Sequence, residues 1–184
     1  MNGDLWHKMD NYNSIPNFFM TFTSSSDVWN FIWSSGPLRA GRKDSGFAIF
    51  PYYTSDKIAD MKDQIGPFSA IKVKKENSIY YWEPFATTPS FKIKRNLYKN
   101  SAGSHVIFEE INTELNLTFK QEWTSSSKYG LVRIAKISNN DSNNQEIQIL
   151  DGCRNIMPAC ATVSLQNDSS VLLDAYKKTD LNLE

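Results

Sequence analysis

One stretch of the sequence, residues 29–53, places cations close to aromatic rings. Residues 29–33 (Trp-Asn-Phe-Ile-Trp) are typical of an aromatic strand, and the next residues read as a loop with two glycines, a proline and three cations. Guanidinium groups bind carboxylates, phosphates and sugar hydroxyls with a fixed geometry, and aromatic faces accept the apolar side of a sugar ring. We therefore predict a substrate-binding site, with no catalytic residue, at Trp33, Arg39, Arg42, Lys43, Asp44, Tyr52 and Tyr53. The alternative is a solvated basic loop over ordinary core aromatics, because loops lie at the surface.

Acid–base catalysis has little support in the sequence. His7 and His105 lie far apart, in no recognisable motif and with no evident partner, and no nucleophile elbow or glycine-rich phosphate loop occurs. Glu109 and Glu110 are adjacent, so on a strand they point to opposite faces and cannot form a glycosidase pair. A solvated charge or a structural ion pair is the role expected for them.

The only two cysteines, Cys153 and Cys160, have no histidine at metal-site spacing and do not make a disulfide framework. We expect free, buried thiols. Neither a metal nor a cofactor is predicted.

The elements that would position these side chains are strands. Apolar residues alternate with polar ones at Leu115, Leu117 and Phe119, which indicates one dry and one wet face. Residues 71–82 read as a hairpin across residues 75–78, and we predict a second pair between residues 131–137 and 146–150. Short strands separated by turns, with little helix, predict an all-β fold, a large antiparallel β-sandwich with one or two short helices.

Helical segments are few. Residues 55–64 are one candidate, and residues 169–178 are the clearest, with Asp168 or Ser169 as the cap and Lys177-Lys178 at the negative end of the dipole. No internal boundary is visible, so residues 1–184 are predicted to be a single β-sandwich domain, the N-terminal domain of a longer enzyme.

Composition excludes some partners. Lys plus Arg number 20 and Asp plus Glu number 20, so the chain has no net positive charge to attract nucleic acid. No run of eighteen apolar residues occurs, and no membrane association is expected. The cytoplasm and the periplasm both stay open as compartments.

The order of these features resembles the N-terminal sandwich of cellobiose- and chitobiose-phosphorylase-like enzymes. The resemblance spans residues 14–155, including the triplet Trp82-Glu83-Pro84 after the hairpin and the turn at residues 139–144 between the last two long strands. It implies a galactose-mutarotase-like supersandwich that precedes an (α/α)6 barrel, and in that family the barrel carries the general acid while phosphate is the nucleophile. The loop at residues 39–44 matches the family loop that leans toward the barrel, which singles out Arg42 and Lys43. Residues from Ala159 onward have no counterpart.

The resemblance implies an accessory domain of a glycoside phosphorylase or hydrolase, inactive alone, that shapes the substrate entrance. Its expected partners are an oligosaccharide or sugar phosphate, the helical barrel and a second copy in a homodimer. The alternative is a stand-alone carbohydrate-binding module. A third interpretation, a mutarotase-type isomerase, requires a histidine and a carboxylate converging on a sugar oxygen.

Overall fold

The chain forms antiparallel sheets in a computed structural model that describes residues 5–51, 62–75, 77–158 and 161–175. Its strands are β1 (Trp6–Asp10), β2 (Phe19–Met20), β3 (Val28–Trp33), β4 (Leu38–Arg42), β5 (Gly66–Lys75), β6 (Ser78–Trp82), β7 (Ile93–Asn100), β8 (Val106–Asn112), β9 (Leu117–Ser126), β10 (Gly130–Asn139) and β11 (Glu146–Arg154). The same residues include one α-helix, α1 (Val163–Ala175), and two 3-10 turns, Tyr12–Ser14 and Ser45–Phe47.

Three sheets form the architecture. The largest has the strand order β1-β7-β8-β9-β10, and the other two have the orders β11-β5-β6 and β2-β3-β4. The prediction of an all-β antiparallel sandwich with little helix is confirmed.

The large sheet packs against both smaller sheets because its inward side chains are apolar. The first hydrophobic cluster joins Ile32 and Leu38 of the β2-β3-β4 sheet to Phe108 and Trp123 of the large sheet. The second cluster joins β5 and β6 to β9 through Ile71, Val73, Trp82, Leu117 and Phe119. The Phe85 side chain packs against both clusters, so the two parts of the core are continuous.

The hairpin predicted at residues 71–82 is confirmed. Strand β5 pairs with β6, with Val73 opposite Tyr80 and Lys75 opposite Ser78. Ile71 and Val73 are buried as their alternation with lysines predicts.

The pairing predicted between residues 131–137 and 146–150 is wrong. Strand β10 pairs with β9, whereas β11 pairs with β5 in another sheet. The asparagine-rich connection is bound to the β8–β9 turn and to the start of β9. The Asn140 N–H donates to the Asn116 carbonyl at 2.8 Å, and Asn140 Nδ2 donates to Thr118 Oγ1 at 2.7 Å. These bonds direct the chain from one sheet to the next instead of closing a hairpin.

The loop predicted after Trp33 is also wrong in extent. The turn is confined to residues 34–37, where the Gly36 N–H donates to the Trp33 carbonyl and Gly36 has a φ of 111°, which favours glycine. Residues 38–42 form strand β4, paired with β3. Arg39 and Arg42 are therefore strand residues.

The C-terminal helix begins earlier than predicted. It starts at Val163, where Thr162 Oγ1 accepts the Leu165 N–H, and Ser169, the predicted cap, interrupts it with non-helical backbone (φ −142°). Lys177-Lys178 lie outside the described residues, as do residues 55–61 of the other predicted helix, and residues 62–64 form a turn.

Candidate functional site

Strand β3 places its aromatic side chains on the outer face of the β2-β3-β4 sheet. Side chains on a strand alternate between faces. Val28 and Ile32 are buried, whereas Trp29 and Trp33 are half-buried and Phe31 is exposed. The period-two pattern of the sequence therefore becomes one apolar inner face and one aromatic outer face.

Strand β2 adds a fourth ring to this face. Phe19 lies opposite Trp33 and stacks on Phe31, with ring centroids 5.3 Å apart and planes 20° apart. Its edge meets Trp33 at 5.8 Å, and Trp29 follows Phe31 at 6.0 Å. We call these four side chains the aromatic row. Phe19 and Phe31 stay 46% and 38% exposed, which is a large apolar area to leave in water.

Trp29 is fixed in place by three contacts. Its indole Nε1 donates to the Asp44 carbonyl at 3.1 Å, and its ring covers Gly41, where an added Cβ would lie 2.5 Å from Trp29 Cζ2. The Arg39 guanidinium lies over the same ring, 5.6 Å from its centroid. The row is thus held by the sheet and by its neighbours before any ligand arrives.

The predicted site residues divide between two faces of the sheet. Arg39 projects outward, beside the aromatic row, directly across from Phe31. Arg42, three residues later, projects to the other face, where it forms an ion pair with Asp27 at 2.7 Å and donates to the Ser127 carbonyl. The expected convergence of the cations is therefore not found for these two arginines.

The remaining predicted residues have separate surroundings. Lys43 has a left-handed backbone (φ 61°) and places its ammonium group 5.7 Å from the Phe47 ring centroid. The Asp44 carboxylate accepts the Gly46 N–H at 2.8 Å and so caps a 3-10 turn. Tyr52 and Tyr53 lie outside the described residues.

Sequence reasoning identified Trp33 and Arg39 but missed Trp29, Phe31 and Phe19. The alternation in residues 28–33 was the signal for Trp29 and Phe31. Phe19 had no comparable signal, because β2 is only two residues long and is placed by its pairing with β3.

The adjacent carboxylates Glu109 and Glu110 lie on opposite faces of β8, as predicted, but neither is solvated. Glu110, 1% exposed, accepts from Trp82 Nε1, the Phe85 N–H and Arg95 Nε at 2.7–2.8 Å. Glu109 accepts from Asn96, Tyr98 and Lys120. Both are structural ion pairs.

His105 has a carboxylate partner that the sequence did not reveal. Its Nδ1 lies 2.7 Å from Glu122 Oε1, and its Nε2 lies 3.4 Å from Thr124 Oγ1. His105 lies immediately before β8, and Glu122 lies on the neighbouring strand β9. His105 and Glu122 do not line the groove of about 520 Å³ along β5, β6 and β11. They also do not line the two cavities beside Tyr12.

Cys153 is a free thiol, as predicted, and is half-buried; burial raises its pKa. Cys160 lies outside the described residues. Within the described ranges, no group of three or more His, Cys, Asp or Glu side chains is placed to hold a metal ion. The helix in the part of the chain that the structure covers is too short or too polar to cross a bilayer.

Comparison with known proteins adds no family to these observations. No protein-family model matches the chain, and no curated protein is significantly similar to it.

Proposed function

We propose that this chain is a carbohydrate-associated β-sandwich domain that contacts sugar rings through the aromatic row. The exposure of Phe19 and Phe31 beside two ordered tryptophans is the observation that carries the proposal. Rings fixed on a sheet present their faces without loss of side-chain freedom on binding, which favours affinity.

The chemistry of the row suits a sugar better than a purely apolar ligand. A pyranose has faces of C–H groups and an edge of hydroxyls. The faces can pack against Phe19 and Phe31, the two exposed rings of the row, and the hydroxyl edge can accept hydrogen bonds from Arg39, which stands beside the row.

The parent protein that we propose is a glycoside phosphorylase or hydrolase whose catalytic (α/α)6 barrel follows this domain. The strand order and the antiparallel sandwich support this proposal together with the resemblance stated above. The domain would then guide oligosaccharide toward the entrance of the barrel. Arg42 and Lys43 would lie on the barrel side.

The stand-alone carbohydrate-binding module is the second candidate, and the aromatic row favours it directly. It predicts that the isolated domain binds oligosaccharides. Calorimetry of the purified chain against a glycan panel tests this, with Phe31→Ala as the variant and Tyr129→Ala as the control, because Tyr129 is 73% exposed and lies outside the row. Loss of heat in the first variant alone supports the proposal, and no heat from the unchanged domain contradicts it.

The accessory role has its own test. The chain is expressed with its natural C-terminal continuation, and release of sugar or sugar phosphate is measured. We expect Arg42→Ala and Lys43→Ala to lower kcat/KM on oligosaccharides. Full activity in both variants would remove residues 39–44 from the proposed entrance.

A further inference from the structure

A polar cavity lies at the end of the sandwich where the β3–β4 turn meets residues 62–63 and 83–87. It has a larger chamber of about 370 Å³ and a smaller one of about 40 Å³. Both chambers are lined by Tyr12, Ser34, Ser35, Lys62, Asp63 and Phe85. None of these residues belongs to the aromatic row, so the cavity is a separate feature of the molecule.

Two almost fully buried polar side chains border the cavity without a partner. Gln121 is 4% exposed and Tyr12 is 5% exposed. Neither the Gln121 amide nor the Tyr12 hydroxyl forms a hydrogen bond with any residue that the structure describes. A third side chain, Ser35, lines both chambers, and its Oγ is fully buried without a hydrogen-bond partner. Buried polar groups in native proteins are normally paired, so the unpartnered groups around this cavity point to a ligand or to water.

Lys62 supplies a positive charge at the same place. Burial lowers the pKa of its ammonium group, and the neighbouring Arg95 lowers that pKa further, against smaller opposing effects of Asp63, Glu110 and Glu83. Within the described ranges, Lys62 forms no ion pair. An anion in the cavity would compensate both the lost hydration and the repulsion by Arg95.

The carboxylates near Lys62 are engaged elsewhere or face water. Glu110 is bound by Arg95 at 2.7 Å, and Glu83 lies 3.6 Å from Arg154. Asp63 is exposed. The described residues that line the two chambers carry three cationic groups, on Lys62, Arg95 and Arg154, and two carboxylates, on Asp63 and Glu83.

We propose that this cavity binds one small oxyanion, a carboxylate or a phosphate group, through Lys62, the Tyr12 hydroxyl and the Gln121 amide. All three can donate hydrogen bonds, and burial keeps the phenol of Tyr12 protonated because it raises the pKa of that group. Gln121 lines only the smaller chamber, so the oxyanion lies there. The larger chamber has the volume of a site for a small organic molecule, so the oxyanion either belongs to a metabolite-sized ligand that extends into it or is a free ion.

The test is titration of the purified chain with inorganic phosphate and, separately, with acetate at constant ionic strength. The melting temperature and the heat of binding are both measured. A ligand that binds only the folded state raises the melting temperature, so we expect a rise of a few degrees at saturation. A response to phosphate alone indicates a phosphate ligand, a response to acetate alone a carboxylate, and a response to neither overturns the proposal.

Two variants separate this site from general charge effects. Lys62→Met should weaken binding at least about tenfold, whereas Lys128→Met, an equal charge change at an exposed position, should leave it unchanged. Equal weakening in both variants would contradict the site. Tyr12→Phe removes only the hydroxyl, so it serves if Lys62→Met does not fold, and unchanged affinity in Tyr12→Phe would then count against the proposal. Phe31→Ala changes a different face of the domain, so the outcome of the sugar-binding test does not affect the outcome of the anion titration.

Discussion

Two regions of this molecule treat unfavourable groups in opposite ways. Around Glu110, a charge has been taken out of water and every oxygen of the carboxylate is hydrogen-bonded. Along the aromatic row, apolar rings have been left in water although the fold has a core to bury them in. The first arrangement holds β6, β7 and β8 together. We expect the second to add little to stability, and this is why we propose that it serves binding.

The largest effect is expected when the Glu110 centre is broken. Glu110→Gln leaves the Arg95 guanidinium buried without its counter-charge, and such losses cost about 3–5 kcal/mol. Urea unfolding should show this loss in the free energy of unfolding. The double variant Glu110→Leu/Arg95→Met should recover only part of it, because the Trp82 and Phe85 N–H groups stay unpaired; full stability in Glu110→Gln would show that the centre is not structural.

A methyl group beneath the aromatic row should have the next largest effect. Gly41→Ala presses a Cβ against the Trp29 ring and the Phe47 carbonyl oxygen, so we expect a loss of about 1–3 kcal/mol together with weaker glycan binding. Gly152→Ala is the control, since its added Cβ meets nothing within 4 Å, and it should be neutral or slightly stabilising. Thermal unfolding of the two variants compares them, and an equal response would mean that Trp29 is not held against Gly41.

The loss of folding stability at low pH should depend on Glu109. Burial opposes ionisation of this carboxylate, but hydrogen bonds from Lys120, Asn96 and Tyr98 outweigh burial and hold its pKa below the ordinary value of 4.5. A lowered pKa contributes stability that is complete above pH 4.5 and is lost as the pH falls through the folded-state value. Between pH 6 and 3, the free energy of unfolding should therefore fall less steeply for Glu109→Gln than for the unchanged chain. An equal pH dependence in the two proteins would exclude Glu109 as a cause of acid destabilisation.

The smallest effect on stability should come from the row itself. Phe31→Ala removes a ring that is already 38% exposed, so we expect a loss of about 1 kcal/mol or less, far below the cost at Glu110. Glycan binding should fall much more than stability. A large loss of stability in Phe31→Ala would instead show that the row is part of the core, and the row would then not differ from the Glu110 centre in its role.

The sequence predicted the architecture better than the site, for a physical reason. Period-two alternation reports which face of a strand is dry, and it was enough for the sandwich and for the β5–β6 hairpin. It does not report which strand pairs with which, so it predicts a pairing of β11 with β10. In the structure β11 pairs with β5, and the hydrogen bond of Asn140 to Thr118 keeps the preceding connection from closing a hairpin. The prediction that Arg39 and Arg42 converge on one site is wrong for a related reason. Glycine and proline beside cations are typical of a loop, but residues 38–42 pair with β3 as strand β4. Two residues that are three apart on a strand face opposite sides of the sheet.

The most direct test of the aromatic row is the response of the five tryptophan indole N–H signals in an NMR titration of the chain with oligosaccharide. Trp29 and Trp33 belong to the row, whereas Trp82 and Trp123 are buried in the core. We predict that the Trp29 and Trp33 signals shift together and saturate at one affinity while the Trp82 and Trp123 signals stay in place. Shifts confined to other tryptophans, or no shift with any glycan, would contradict the assignment of this face to carbohydrate.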